Sequence, residues 1–541
     1  MEIRFLSLLY PSEESRRRHA DKQDTPYVSP AVCEEMGLSS LLPLKSSSLS
    51  DYFSADPAVL AYRQATFAEL AAHPELVSVL YEVLPILSDI EELRRLDSAD
   101  VGGESYLYSI TEIELYISCI EALRRGLLPL RDALESPAFR SLADTIYELC
   151  ESEYYRDLNE DLARLSSRIH EVKSITVGVN LDAELRPKDA GVISINAETF
   201  KSGKALDKIL RMSFKNDAFT CIADIVPFDK GQSENRKEAM QTAFHSAIDR
   251  VFRSSVRAWR AIVGEYVLDN TDFLLRILPE IEFVTRACEL SRRLTEAGYP
   301  LTAPILHEKA EKVFRARALY NPDVALRIDE RVVENDLVFD EKARIYVLTG
   351  PNRGGKSVIT CALGLAVAMA MLGLSVAAEE AEISPADAIF THFPTGADDT
   401  IDKGRLGEEC ARLKEILDGV TDESLILLDE SLSSTGAYEA SFIAAELLSG
   451  FSLIGCRGIF STHLHDLAAE VPAINARVTP EGGAPLDNLV AGMEEGRRSF
   501  LIKRQAPDGK SYATDIAEKY GLSFETIKRS INKKNVKECL Q

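Results

Sequence analysis

Gly350-Pro351-Asn352-Arg353-Gly354-Gly355-Lys356-Ser357 follows the apolar run Tyr346–Leu348 and opens a stretch of helical composition. Glycine, four residues, then glycine-lysine-serine is the spacing of a loop whose backbone N–H groups surround a phosphate chain, with the following helix N-terminus adding positive potential. In such a loop Lys356 reaches the β- and γ-phosphates and Ser357 ligates Mg2+. A glycine turn that merely precedes a lysine is the competing reading, and the strand–loop–helix context argues against it.

A second stretch, "LILLDE" (425–430), places two carboxylates at the end of four apolar residues. Buried strands of α/β sheets deliver ligand-binding groups at their C-terminal ends, so Asp429 is expected to hold Mg2+ and Glu430 to position or activate a water. Further along, "FSTHLHDLA" puts His463 just after another apolar run. A histidine at a strand end can hydrogen-bond a γ-phosphate or an attacking water, although a lone histidine also serves structural roles.

These residues need a sheet to carry them. From Arg331 onward, short β-rich runs (343–350, 424–430, 456–464) alternate with helical stretches, which predicts an α/β domain with a largely parallel sheet. Before it, apolar positions three and four apart over 57–96 and 110–134 predict a helical bundle. Helical periodicity returns from about Glu234 to Ala297, around the single tryptophan, Trp259. A β-branched stretch with Gly, Asn and Pro punctuation, 174–196, predicts two short strands around a turn between helical blocks. The expected division is therefore 1–330, mostly helical, and 331–541, α/β, with Asn321-Pro322 marking a turn near the boundary.

The chain has 541 residues, 45% apolar and 27% charged, enough for more than one buried core. Its nine cysteines are scattered and show no CxxC or His/Cys ligand spacing, so neither a disulfide framework nor a zinc site is expected and a reducing cytoplasm is. The N-terminal apolar run is too short for a signal peptide. Val358–Ala378 is uncharged and long enough to span a bilayer, but it follows the glycine-rich turn directly and contains Gly364 and Gly373, so it reads as a buried helix and strand, and no membrane partner is expected. A net charge of −24 excludes a protein that coats nucleic acid with its whole surface. Any such contact must be local, and Lys201, Lys204, Lys208, Arg211 and Lys215, beside Phe200 and Phe214, form the candidate segment; a solvated helix face is the alternative.

The segments 349–357, 372–399, 423–430, 460–467 and 510–529, in this order and spacing, resemble the MutS mismatch-repair ATPases, a branch of the ABC-type ATPases. The resemblance implies a multidomain fold, a mostly α-helical core and lever region followed by an α/β P-loop ATPase domain that dimerises around ATP and Mg2+. It implies nucleotide contacts from Gly350, Pro351, Asn352, Arg353, Gly354, Gly355, Lys356 and Ser357, metal ligation by Ser357 and Asp429, and catalytic roles for Glu430 and His463. The helical region is similar more weakly, most clearly over 53–67. The family's two N-terminal domains, with its mismatch reader, are expected to be missing, because little chain precedes residue 53. Phe67-Ala68-Glu69 and Phe339-Asp340-Glu341 match the reader's Phe-x-Glu pattern, but one lies in an amphipathic helix and the other just before the nucleotide-binding strand.

Two departures bear on the dimer. After Asp429-Glu430 the family continues Gly-Arg-Gly-Thr-Ser, where this chain has Ser431-Leu432-Ser433-Ser434-Thr435-Gly436. Where the family has Ser-Thr-Phe-Met, reaching the partner's nucleotide, this chain has Gly404-Arg405-Leu406-Gly407-Glu408-Glu409. The expectation is an ATP hydrolase working as a homodimeric clamp on DNA, in repair or recombination, without mismatch reading. An ATP-driven switch acting on a protein or ribonucleoprotein partner is the alternative, which the acidic surface favours.

Overall fold

A computed structural model of the chain describes residues 5–99, 106–170, 174–181, 183, 187–196, 201–202, 220–221, 272–351, 353–393, 405–494, 497–507 and 520–529. It divides into two compact units, one of Met1–Leu9 with Ala68–Thr285, the other of Tyr10–Phe67 with Arg286–Gln541.

The first unit is mainly helical, as the periodicity predicts, with helices Pro74–Ala99, Tyr106–Leu127, Pro137–Glu151 and Glu153–His170. Ser136 caps Pro137–Glu151 by accepting from the Phe139 N–H, and Pro137 sits at the first helical position, where its missing donor costs nothing. The N-terminal segment is tied in by Glu280, which accepts from the Ser7 hydroxyl and from the Leu8 N–H at 2.7 Å. The expected pair of strands is present: β1 (Ser174–Leu181) runs antiparallel to β2 (Pro187–Asn196). Short β3 (Lys201–Ser202) pairs with β4 (Thr220–Cys221). Trp259, Phe200, Phe214 and the basic residues Lys204, Lys208, Arg211 and Lys215 lie outside the described residues.

The second unit holds two sheets. Strands β5 (Ile305–Leu306), β6 (Phe314–Leu319), β7 (Asn335–Phe339) and β9 (Glu380–Ile383) form one, in the order β5-β9-β6-β7. The boundary expected at 330/331 therefore falls inside a sheet: β6 pairs antiparallel with both β7 and β9, so residues on either side of it share backbone hydrogen bonds. The strand β6 is short and follows no helical periodicity break, which is why the sequence read it with the helical block.

The second sheet has six strands: β8 (Ile345–Thr349), β10 (Ile389–His392), β11 (Leu425–Asp429), β12 (Arg457–Ser461), β13 (Leu486–Glu494) and β14 (Arg497–Arg504). Their order is β10-β11-β12-β8-β13-β14, parallel throughout except for the β13/β14 hairpin. Every residue of β8, β11 and β12 is buried, the pattern of central parallel strands covered on both faces. On one face Val347, Leu428 and Phe460 pack with Leu448 and Phe451 of helix Ala437–Ile454 and Val471 of helix His465–Val478. Helix Lys356–Met371 contacts β11 and β12 and also β6 of the other sheet, which is why it is apolar all round. Gly364 permits that approach: a Cβ there would come within 2.5 Å of Leu427 and Met36.

The uncharged run Val358–Ala378 is thus a core helix, followed by a turn and the isolated bridge of Val376 to Thr302 before β9 begins. Among the described residues one helix, Ala437–Ile454, is long and apolar enough to cross a membrane by length and composition; half of it is buried in the unit's own core. Cys33, Cys119, Cys150, Cys288, Cys361, Cys410 and Cys456 are free thiols.

Candidate nucleotide-binding site

Three neighbouring parallel strands end at the same edge. β8 leads into the glycine-rich loop at Gly350, β11 ends on Asp429, and β12 ends on Ser461, paired with Asp429 and two residues before His463. Parallel strands in this order must bring those three termini together, although they are up to 113 residues apart in sequence from Gly350 to His463.

The loop turns into helix Lys356–Met371 through Gly355, at φ +92°, a conformation that an L side chain rarely adopts. Among the described residues no side chain caps this helix, so its first N–H groups are available to an anion. Lys356 is 4% exposed. Its Nζ donates to the Gly350 carbonyl at 3.2 Å and the Pro351 carbonyl at 3.3 Å, and lies 3.4 Å from His463 Nδ1. Burial lowers its pKa, against the raising pull of Glu430 and Asp429. Ser357 is exposed and, with Arg353, Gly354, Gly355 and Glu430, lines a cavity of about 340 Å³. Asn352 lies outside the described residues.

Asp429 is 5% exposed, and its Oδ1 is buried with no hydrogen-bond partner among the described residues. An orphaned buried carboxylate oxygen is costly and fits a cation ligand. Glu430 Oε1 is 2.6 Å from His463 Nε2, so imidazole and carboxylate are paired directly, while the Glu430 N–H donates to the Ser461 carbonyl at 2.8 Å. Glu430 has φ +49° and Leu432 φ +64°, two non-glycine residues in the left-handed region flanking Ser431. Such positions cost about 1–3 kcal/mol each and cluster where a side chain must be aimed.

The far wall of the cavity was not legible in the sequence. Tyr320, Asn321, Val324, Val332 and Phe500 supply an apolar and amide lining. Asn321 accepts from the Asp323 and Val324 N–H groups, capping helix Pro322–Ala325, and donates to the Val358 carbonyl of the helix after the loop. The Asn-Pro turn signal was visible; its position beside the loop was not. Asn335 donates to the Phe500 carbonyl and accepts from the Ile502 N–H, holding Phe500 at φ +57° next to Gly355.

Residues 346–535 match the model of MutS domain V, and residues 55–297 match that of the MutS2 N-terminal domain. The chain belongs to the MutS family. Among similar proteins, the DNA mismatch repair protein MutS of Chloroflexus aurantiacus is 32% identical over 233 residues, covering 41% of this chain and 23% of that one. The Endonuclease MutS2 of Thermus thermophilus is 29% identical over 306 residues, 57% of this chain and 37% of that one. The DNA mismatch repair protein MutS of Syntrophomonas wolfei is 26% identical over 482 residues, 84% of this chain and 53% of that one. This MutS-family chain thus spans between 23% and 53% of the length of these relatives.

Both Phe-x-Glu matches are committed elsewhere in the fold. Glu69 is buried and its Oε2 accepts from the N–H groups of Glu135, at 2.7 Å, and Ser136, at the start of helix Pro137–Glu151. Phe339 is 2% exposed, in edge contact with Phe314 and Tyr346. Of the segments that depart from the family, Gly404 lies outside the described residues and Arg405 begins helix Arg405–Gly419. Ser434 donates to Glu409, linking the two departures.

Proposed function

We propose that this chain binds ATP with Mg2+ at Gly350–Ser357 and hydrolyses it, and that the cycle opens and closes a homodimeric clamp on DNA without mismatch reading. The carrying observation is the meeting of Lys356, Asp429, Glu430 and His463 at three adjacent strand ends, beside a cavity that Lys356 and Glu430 line. The backbone N–H groups of the loop and the uncapped helix face the phosphates, and Lys356 exchanges two carbonyl partners for phosphate oxygens. The wall of Tyr320, Val324, Val332 and Phe500 suits a flat apolar base.

The residues present fit a magnesium ion. Among the described residues no group of three or more His, Cys, Asp and Glu side chains could hold a metal by itself. Mg2+ does not need one, since it takes one or two protein oxygens together with waters and substrate phosphates. The orphaned Asp429 Oδ1 and the Ser357 hydroxyl are those oxygens. Held there, Mg2+ would supply neutralisation of charge on the phosphate oxygens. Glu430 accepts a hydrogen bond from the attacking water and orients it, while His463, paired with Glu430, would hydrogen-bond the terminal phosphate or that water.

DNA as the object of the clamp is supported by family membership and by the basic segment around Lys201. The net charge of −24 favours a second reading, a protein or ribonucleoprotein partner. ATP hydrolysis measured with matched, mismatched and branched duplexes, single strands and RNA separates them. Stimulation by DNA that falls steeply with salt supports the clamp; hydrolysis indifferent to every nucleic acid favours the second reading. Glu430→Gln should bind ATP, hydrolyse it slowly and scatter light as a dimer; no Mg2+-dependent hydrolysis in the unmodified chain would sink the ATPase assignment.

A further inference from the structure

The turn that aims Glu430 is strained on both sides of Ser431, with Glu430 at φ +49° and Leu432 at φ +64°. Leu432 is anchored in the core at 1% exposure, and the Glu430 N–H is held by the Ser461 carbonyl. Between them, Ser431 is 3% exposed and its hydroxyl is hydrogen-bonded at 2.8 Å to Nδ1 of His392, the last residue of β10. His392 is itself 4% exposed and registers with Leu428, the residue before Asp429 on β11. Its neighbour Thr391 donates to Glu35, and Arg412 approaches the same Glu35 at 3.8 Å, so the end of β10 is fixed independently of the nucleotide loop.

We infer that His392 is a positioning residue for hydrolysis: through the Ser431 hydroxyl it holds the strained turn that points the Glu430 carboxylate at the attacking water. The inference rests on the ATPase reading above. Burial, helped by the Arg412 charge, pushes the His392 pKa down to about 4, so the ring is neutral at physiological pH and works through its hydrogen bond. A left-handed non-glycine turn persists only where its surroundings over-determine it. With the bond removed, Glu430 samples other directions and the rate falls, while the phosphate loop, carried by β8, keeps its affinity.

His392→Phe keeps the ring and removes the bond; His392→Asn keeps a polar atom near the Nδ1 position. The expected result for His392→Phe is a kcat about tenfold lower, about 1.4 kcal/mol, with ATP Kd within about twofold. Ser431→Ala should show the same loss, the double variant should be no worse than either single one, and His392→Asn should recover most of the rate. In a Glu430→Gln background His392→Phe should leave the residual rate unchanged, which a merely structural injury would not. Ser431→Ala keeps the test decisive where His392→Phe does not fold. The inference is overturned by wild-type kcat in folded Ser431→Ala, by weakened ATP binding that accounts for the loss, or by a further loss in the Glu430→Gln background. An unmodified chain that hydrolyses no ATP overturns the ATPase reading instead.

Discussion

Replacing Lys356 by alanine tests the site at its most informative atom. Without nucleotide, Lys356 Nζ spends its donors on two neutral carbonyls at 3.2 and 3.3 Å. With ATP bound, those contacts give way to phosphate oxygens. The ammonium already makes charge-assisted bonds to the two carbonyls, each contributing about 1.5–3 kcal/mol. What phosphate adds is an opposite charge at each acceptor, worth about 1 kcal/mol at about 4 Å in water and about 4 kcal/mol at an effective dielectric of about 20. Binding affinity feels only that addition, and taking about 1–1.5 kcal/mol per contact for a site open to solvent, two contacts give about 2–3 kcal/mol, or roughly 30- to 150-fold in Kd. Anisotropy titration of a fluorescent ATP analogue reads this directly, with circular dichroism confirming the fold. Lys356→Arg should not restore affinity, because a planar guanidinium does not fit the 4% exposed slot of the ammonium. A folded Lys356→Ala protein whose Kd lies within threefold of wild type refutes the reasoning.

Acid should destabilise the second unit through His392, whose folded pKa of about 4 lies below the unfolded value. The unfolded chain then binds more protons, so this contribution is fully present above about pH 6.5 and lost as pH falls toward 4, about 3 kcal/mol in all. Urea unfolding at pH 7 and 4.5 should show a smaller loss in His392→Asn than in wild type; parallel losses contradict the burial argument. Glu69→Ala removes two buried charge-assisted bonds at the start of helix Pro137–Glu151 and should cost the helical unit about 2–4 kcal/mol in chemical denaturation; a change below about 0.5 kcal/mol means the bonds contribute nothing. Because Phe339 is buried in the core and Glu69 is spent on a helix start, neither Phe-x-Glu pair is available as a wedge, and affinity for a G·T duplex should lie within about threefold of the matched control, a difference below ~0.7 kcal/mol. A reproducible tenfold mismatch preference in fluorescence anisotropy overturns that.

The sequence by itself determined the parts of this protein whose signal is local. Gly350 to Ser357 names its own backbone geometry, because glycine spacing decides which φ values the turn can reach. The runs Ile345–Leu348 and Leu425–Leu428 are apolar without a break, the pattern of strands covered on both faces, and every residue of β8 and β11 is buried. Helical periodicity similarly announced Pro74–Ala99 and Tyr106–Leu127.

What only the tertiary structure decided depends on pairings between distant segments. That β6 joins β7 and β9 across the expected boundary is a matter of hydrogen-bond partners far apart in sequence, and two short strands carry too little pattern to reveal them. The wall built from Tyr320 to Val333 and Phe500 exists because the first sheet and the β13/β14 hairpin both pack beside the loop helix. His392 carries no signal of its own in the sequence; its bond to Ser431 arises because parallel pairing sets the end of β10 level with the end of β11. Residue types and spacing fix what a segment can do chemically, whereas strand order and register fix which segments meet, and neighbours in a sheet are chosen by the free energy of the whole core.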